Sequence, residues 1–216
     1  MALANGLRII WLDTHIGVMG QYMTLKKQFQ DTLQPVGAMP PNQINELICC
    51  FEENVAPIEF VSTSEDALAL IQYETSKRII LISSGTLGEK IIPNIVSEYS
   101  RVYFFYIFCG YVQRLVEWAL DLGCEDIMKI LDHEFDLLVH LTRDMSKDII
   151  KLGGSYMTLR DGNSARKCFV TAQTLETHAN AVDALHNRAP LRERLQILEG
   201  PNGLIQQARD LGESQN

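Results

Sequence analysis

Apolar residues gather in short dense runs over the first two thirds of the chain and at helical spacings over the last third. Leu7-Arg8-Ile9-Ile10-Trp11-Leu12, ending at Asp13, predicts a buried strand. A helix is predicted over Gln21–Leu33 from Tyr22, Leu25, Phe29 and Leu33, and Pro35 to Pro41 interrupt the chain before helical spacing resumes over Asn42–Phe51. Pro57 to Val61 reads as a second strand, and Ser64 as the cap of a helix through Ala67, Leu68 and Ile71. Arg78 to Ile82 is a third strand, closed by a turn at Ser83-Ser84-Gly85-Thr86. Pro93 then predicts a broken or kinked helix up to Tyr99. Val102 to Phe108 is apolar at every position, as a central parallel strand should be. An amphipathic helix over Tyr111–Leu122 and a strand over Ile127–Leu131 complete the alternation.

Five strands separated by helices imply right-handed crossovers and a parallel sheet covered on both faces. The expected fold is α/β, three-layered and flavodoxin-like, with strand order 2-1-3-4-5 over residues 1–132. Such a sheet opens a crevice where strands 1 and 3 diverge. Asp13, Thr14 and His15 leave strand 1 there, while Ser83, Ser84, Gly85 and Thr86, followed by Gly88, leave strand 3.

From residue 133 the strand signal stops, and residues 133–216 are expected to form an α-helical segment. Phe135 to Thr142 begin a helix running to Ile149. Ile149, Leu152, Gly153, Tyr156, Ala165, Phe169 and Ala172 then fall at positions 4, 7, 8, 11, 20, 24 and 27 of a 34-residue unit covering 146–179. That register resembles one tetratricopeptide repeat. Gly153 and Ala165 would let two helices approach, Tyr156 and Phe169 would fill the space between them, and Asp161-Gly162-Asn163 would make the turn. Thr177 replaces the usual proline, and no second repeat follows. Pro190–Leu198 and Asn202–Leu211 read as two more helices, split by Gly200-Pro201. One repeat cannot bury both faces of its helices, so the remaining surface must meet other helices, the α/β part or another chain.

Composition narrows the function. The 216 residues carry 19 Lys and Arg against 27 Asp and Glu, a net charge of −8, which argues against general nucleic-acid binding. The acidic excess lies in residues 1–132, with 16 acidic and 9 basic side chains, against 11 and 10 in the rest. Five cysteines, an odd number with no Cys-x-x-Cys, suit a reduced interior, and a cytoplasmic location is expected. Met1 to Gly6 hold no basic region ahead of a long apolar run, so no secretory leader is expected. The dense run Val102–Cys109 has eight residues, against the roughly 20 needed to cross a bilayer, so no membrane partner is expected either.

Three chemistries have candidate residues at the crevice. A receiver domain needs several acidic residues to hold Mg²⁺, a phosphate-accepting Asp after strand 3 and a Lys after strand 5. Here Asp13 stands alone, Ser83 and Ser84 occupy the acceptor end, and no Lys follows Leu131-Asp132. A pseudo-receiver without metal or cofactor is the expectation. Anion or nucleotide binding at Ser83 to Gly88 rests on a glycine turn feeding a helix N-terminus. Thr86 with Glu89 also fits a plain capping box, and both readings stand. A Cys109–His nucleophile would need one of His15, His133, His140, His178 or His186 beside it, and Cys109 at the end of an apolar strand reads as an inert thiol.

Four short motifs recur together elsewhere. They are Ile10-Trp11-Leu12-Asp13; Ile79 to Gly85 with Leu87-Gly88 and Pro93; Glu117-Trp118-Ala119; and Leu141-Thr142-Arg143-Asp144. Over residues 8 to about 180 the chain thereby resembles an uncharacterised N-terminal α/β module of large invertebrate proteins. In those it precedes tetratricopeptide arrays or an arginine-specific ADP-ribosyltransferase domain. With 36 residues after position 180, no room for a transferase is expected here. The resemblance implies an adaptor coupled to a helical-repeat segment. The expected function is therefore non-catalytic protein or peptide binding through the helical segment, with Tyr156, Arg160 and Lys167 as contacts. A ligand in the crevice and a homo-oligomeric structural subunit are the alternatives.

Overall fold

The computed structural model describes residues 6–14, 43–132 and 134–214. The helix expected over Gln21–Leu33 and the crevice residue His15 lie outside these. The described chain divides into two compact units, one holding 6–14 and 52–137, the other 43–51 and 138–214. Helix α1 (Gln43–Asn54) precedes the second strand.

In the first unit, β1 (Leu7–Leu12), β2 (Ile58–Val61), β3 (Arg78–Ser84), β4 (Val102–Phe108) and β5 (Met128–Leu131) form one parallel sheet in the order 2-1-3-4-5. The arrangement is flavodoxin-like. Parallel neighbours need crossovers rather than tight turns, and α2 (Ser64–Tyr73), α3 (Gly85–Glu98) and α4 (Val112–Asp121) supply three of them. All three cover one sheet face. Ala67 and Ile71 of α2, Ile91, Ile92 and Ile95 of α3, and Leu115 and Ala119 of α4 pack on Ile10, Leu12, Ile79, Leu81, Phe105, Ile107 and Met128. Ile9, Trp11, Ile80, Ile82 and Tyr106 alternate onto the other face and are buried as well. A bulge puts Ile79 opposite Val102 and Ile80 opposite Phe104, so that Tyr103 is the extra residue. The side-chain parity of β4 changes there, which is how Val102 and Phe105 both reach the helix-covered face.

Three local expectations are corrected. β3 continues through Ser83 and Ser84 and passes straight into α3, so the expected turn does not exist. Ser83 is a ladder residue opposite Leu12 and Ile107, fully buried, its hydroxyl donating to the Ser84 carbonyl at 3.0 Å. The cap of α2 is Thr63, whose Oγ1 accepts from the Asp66 amide at 3.1 Å, and Ser64 is the buried first residue of the helix. Helix α3 runs unbroken through Pro93. The missing N–H leaves the Glu89 carbonyl without its intrahelical donor, at a cost on the order of 3 kcal/mol. Burial of Ile91, Ile92 and Ile95 on the sheet holds the helix over it.

The second unit contains a hairpin of two long helices, α5 (Glu134–Thr158) and α6 (Gly162–Leu185), followed by α7 (Glu193–Leu198) and α8 (Leu204–Glu213). Both hairpin helices overrun the 146–179 unit. α5 is already helical well before Ser146, and α6 ends beyond Ala179. The expected glycine contact is present. A Cβ on Gly153 would lie 2.5 Å from the Phe169 ring, so only glycine lets α5 meet α6 there. The turn is shorter than expected: Gly162 and Asn163 are helical, and Asp161 caps α6 by accepting from the Ser164 amide at 2.9 Å. Gly162 touches α8, where an added Cβ would meet the Gly212 nitrogen at 2.4 Å and the Ala208 carbonyl at 2.6 Å.

A buried polar network joins α5, α6 and α7. The Arg143 guanidinium donates to Asn180 Oδ1 at 2.8 Å and Asp183 Oδ2 at 2.6 Å, and its Nε stands 3.7 Å from Glu176 Oε2. Arg194 donates to Glu176 Oε1 at 2.5 Å and to the Arg143 carbonyl at 2.7 Å. Glu176 is fully buried and Asp183 nearly so. Removing one partner from such a set strands the other charges in low dielectric. Arg143→Ala should therefore lower unfolding stability by about 3 kcal/mol or more, read as a fall in the urea midpoint. A loss below about 1 kcal/mol, the worth of an exposed pair, would show that the network carries no such cost.

Candidate functional site

The C-terminal ends of β1, β3 and β4 and the first turns of α3 and α4 enclose a cleft of ≈ 600 Å³. Asp13 enters it from β1, nearly buried, with its backbone amide donating to the Val61 carbonyl at 3.0 Å. Thr14 beside it is exposed. Ser84, Gly85 and Thr86 form the β3–α3 wall, and Phe108, Cys109, Gly110, Tyr111, Arg114 and Leu115 form the wall from β4 and α4. Five of the eight residues expected at the crevice are thus brought together: Asp13, Thr14, Ser84, Gly85 and Thr86. Ser83 and Gly88 are not among them. Ser83 is spent in the ladder, and Gly88 is packing, since a Cβ there would meet Ile107 Cδ1 at 3.0 Å. Gly85 serves both ends. A Cβ on it would lie 2.8 Å from Leu115 Cδ1 and 3.1 Å from Cys109 Cβ, so its bareness brings the two walls together.

The expected capping box fails for a geometric reason. The helix starts at Gly85, so Ser84 is the N-cap and Thr86 sits inside the first turn. Ser84 makes no side-chain cap bond, and neither does Tyr111, the N-cap of α4. Neither helix has an acidic residue in its first turn. Two positive dipole ends therefore face the cleft, and neither N-cap side chain accepts from its helix's first-turn amides. Glu89 instead accepts from Arg114 Nη2 at 2.6 Å, tying α3 to α4, while two thirds of the Arg114 side chain stays in solvent.

Tyr111 and Arg114 were not read from the sequence, because the crevice argument considered strands 1 and 3 alone. The signal was present in Gly110-Tyr111, which ends the apolar run of the fourth strand and places the next helix beside the third-strand exit.

Two helix N-termini, Arg114 and Asp13 face the cleft, and its thiol, Cys109, is shifted against nucleophilic attack. Burial pushes the Cys109 thiol above the ordinary thiol range, and Asp132 and Glu89 push it the same way against the Tyr111 amide and Arg114. His140, His178 and His186 belong to the helical unit, and among the described residues no histidine lines the cleft. Nor do three His, Cys, Asp or Glu side chains come together anywhere among them.

In the helical unit, Tyr156, Arg160 and Lys167 lie at the end of α5, in the hairpin turn and in the second turn of α6 respectively. Tyr156 is half-buried, and its carbonyl accepts from the Asp161 amide at 2.9 Å. Arg160 is exposed in the turn at φ 59°, and Lys167 is exposed one turn into α6, near enough to Asp161 to stabilise its carboxylate. Among the described residues no helix is long and apolar enough to cross a membrane. No protein-family model, curated protein or solved structure matches the chain.

The raised thiol has a measurable consequence. At neutral pH Cys109 is protonated, and the reactive thiolate appears only as pH climbs past the ordinary thiol range. Alkylation of Cys109 by iodoacetamide, followed by peptide mass spectrometry, should be slower at pH 7.4 than that of glutathione and should still be rising at pH 9. A rate at pH 7.4 above that of glutathione would mean an activated thiol and would return nucleophilic chemistry to the cleft.

Proposed function

We propose that the chain is an interaction module, an adaptor that holds a protein or peptide segment on its helical unit and makes or breaks no covalent bond. The observation that supports this most directly is the exposure of Arg160 and Lys167 on either side of the hairpin turn, with Leu159 beside Arg160 left 75% exposed. The sheet unit would serve as a degenerate receiver-like partner domain: Ser83, at the acceptor end of β3, is committed to the ladder. Five free thiols suit a reducing compartment, and the reading assigns the chain to the cytoplasm.

Site-specific photocrosslinking tests the docking reading. A benzophenone side chain at Lys167 should give a discrete protein adduct in lysate, and that adduct should disappear when Arg160→Glu is added. Adducts formed equally from Lys167 and from the cleft position Thr86, or adducts insensitive to Arg160→Glu, would remove the hairpin from the function.

A second reading is supported by the two uncapped helix N-termini on the cleft. An anionic ligand there would meet the first-turn amides of α3 and α4 together with Arg114. At a concentration of 100 times Kd such a ligand stabilises the fold by about 2.7 kcal/mol. Melting curves with inorganic phosphate, ATP and NAD should then shift upward for the native chain and not for Arg114→Ala. The absence of any shift would leave the cleft as a packing feature.

A further inference from the structure

We infer that the turn end of the α5–α6 hairpin selects an acidic peptide segment carrying an apolar side chain, an inference that rests on the docking reading above and names its partner's chemistry. Arg160, Arg166 and Lys167 are all exposed at this end, and Arg209 of α8 lies across from Arg166, the two lining one surface cavity of ≈ 350 Å³ with Asn163 and Glu213. Three carboxylates are near, and each is already engaged. Asp161 accepts from the Ser164 amide at 2.9 Å as the cap of α6, Asp210 accepts from Gln206 Nε2 at 2.7 Å, and Glu213 accepts from Arg209 Nε at 2.8 Å. Four cations therefore stand against three committed anions, and Arg209 is held by Glu213. An incoming carboxylate would find donors on Arg166 and Lys167 without first displacing a buried ion pair.

An apolar component accompanies the charge. Leu159 projects from the turn at 75% exposure, and Val170, 39% exposed, lies one helical turn beyond Arg166 and Lys167 on the same stripe of α6. A segment alternating acidic and apolar side chains matches both features. A peptide fits better than a nucleic acid or an anionic membrane. Those polyanions present charge over a wide footprint, and the chain as a whole carries −8. A peptide needs only the turn.

The test uses the full chain and three degenerate peptide pools with the same apolar positions. The remaining positions hold Asp and Glu, Asn and Gln, or Lys and Arg. Fluorescence anisotropy should show the acidic pool binding most tightly and weakening as salt is raised. Arg166→Glu with Lys167→Glu should weaken the acidic pool by roughly tenfold or more, and Leu159→Ser should weaken it further. Lys147→Glu with Lys151→Glu, an equal charge change on exposed positions of α5, should leave binding within about twofold. Equal binding of the amide pool, unchanged by the Arg166/Lys167 reversal, would overturn acidic selection while leaving docking intact. No binding from any pool also overturns it, and docking falls as well only if the crosslinking test fails. Tighter binding of a single-stranded oligonucleotide or a phosphatidylserine vesicle than of the acidic pool would overturn the peptide assignment.

Discussion

A strand buried on both faces has no room for a polar side chain, and this constraint decides where chemistry can sit in the sheet unit. β3 is apolar from Ile79 to Ile82 and β4 along its whole length, so polar groups are driven to the strand ends and the loops beyond them. The partial exception, Ser83, follows the same rule, since its hydroxyl is satisfied on the neighbouring carbonyl and offers nothing outward. The cleft is what remains where the strands stop. Its width is set by Gly85, whose missing side chain brings the α3 junction against Leu115 and Cys109. The same close approach buries the Cys109 thiol and keeps it protonated. Packing thus creates the concavity and quiets the nucleophile in it.

The helical unit handles polarity in the opposite way. Arg143, Glu176, Asn180, Asp183 and Arg194 lie inside it, where desolvation is costly and mutual pairing offsets it. Such a set adds little net stability over an apolar core, yet it penalises misregister. A slip of α6 by one residue would carry Glu176 and Asp183 away from Arg143 and leave charges unpaired in the interior. Gly153 against Phe169 imposes the same register sterically. Two independent restraints therefore fix the hairpin, and through it the positions of the exposed residues at its turn.

The sequence was most informative where one physical effect dominates. Dense apolar runs marked the strands, most clearly β4, because only a doubly covered sheet tolerates them, and the flavodoxin-like pattern gave their order. Gly153 and Phe169 were legible because their spacing has a steric meaning. Boundaries were less so. Thr63 and Ser64 are both good caps, and which one caps α2 depends on where the β2 ladder releases the chain. Ser83 and Ser84 look like turn residues, but backbone pairing with β4 extends the strand through both, whatever their side chains prefer. Pro93 carries a local cost that the burial of three isoleucines outweighs, and a local rule cannot see that burial. Arg114 escaped because its place depends on the fourth strand's exit rather than on any motif of its own.

Charge adds an argument that neither fold nor motif supplies. Residues 1–132 hold most of the acidic excess, while the last third is close to neutral. In a near-neutral background even a few clustered cations set the local potential, because salt screens other charges beyond about 8 Å. Arg166 and Lys167 are adjacent on one helix, and Arg209 shares a cavity with Arg166, so three cations act within a small patch. Electrostatics would then select the hairpin turn before any close contact forms, and Leu159 would set how long the encounter lasts.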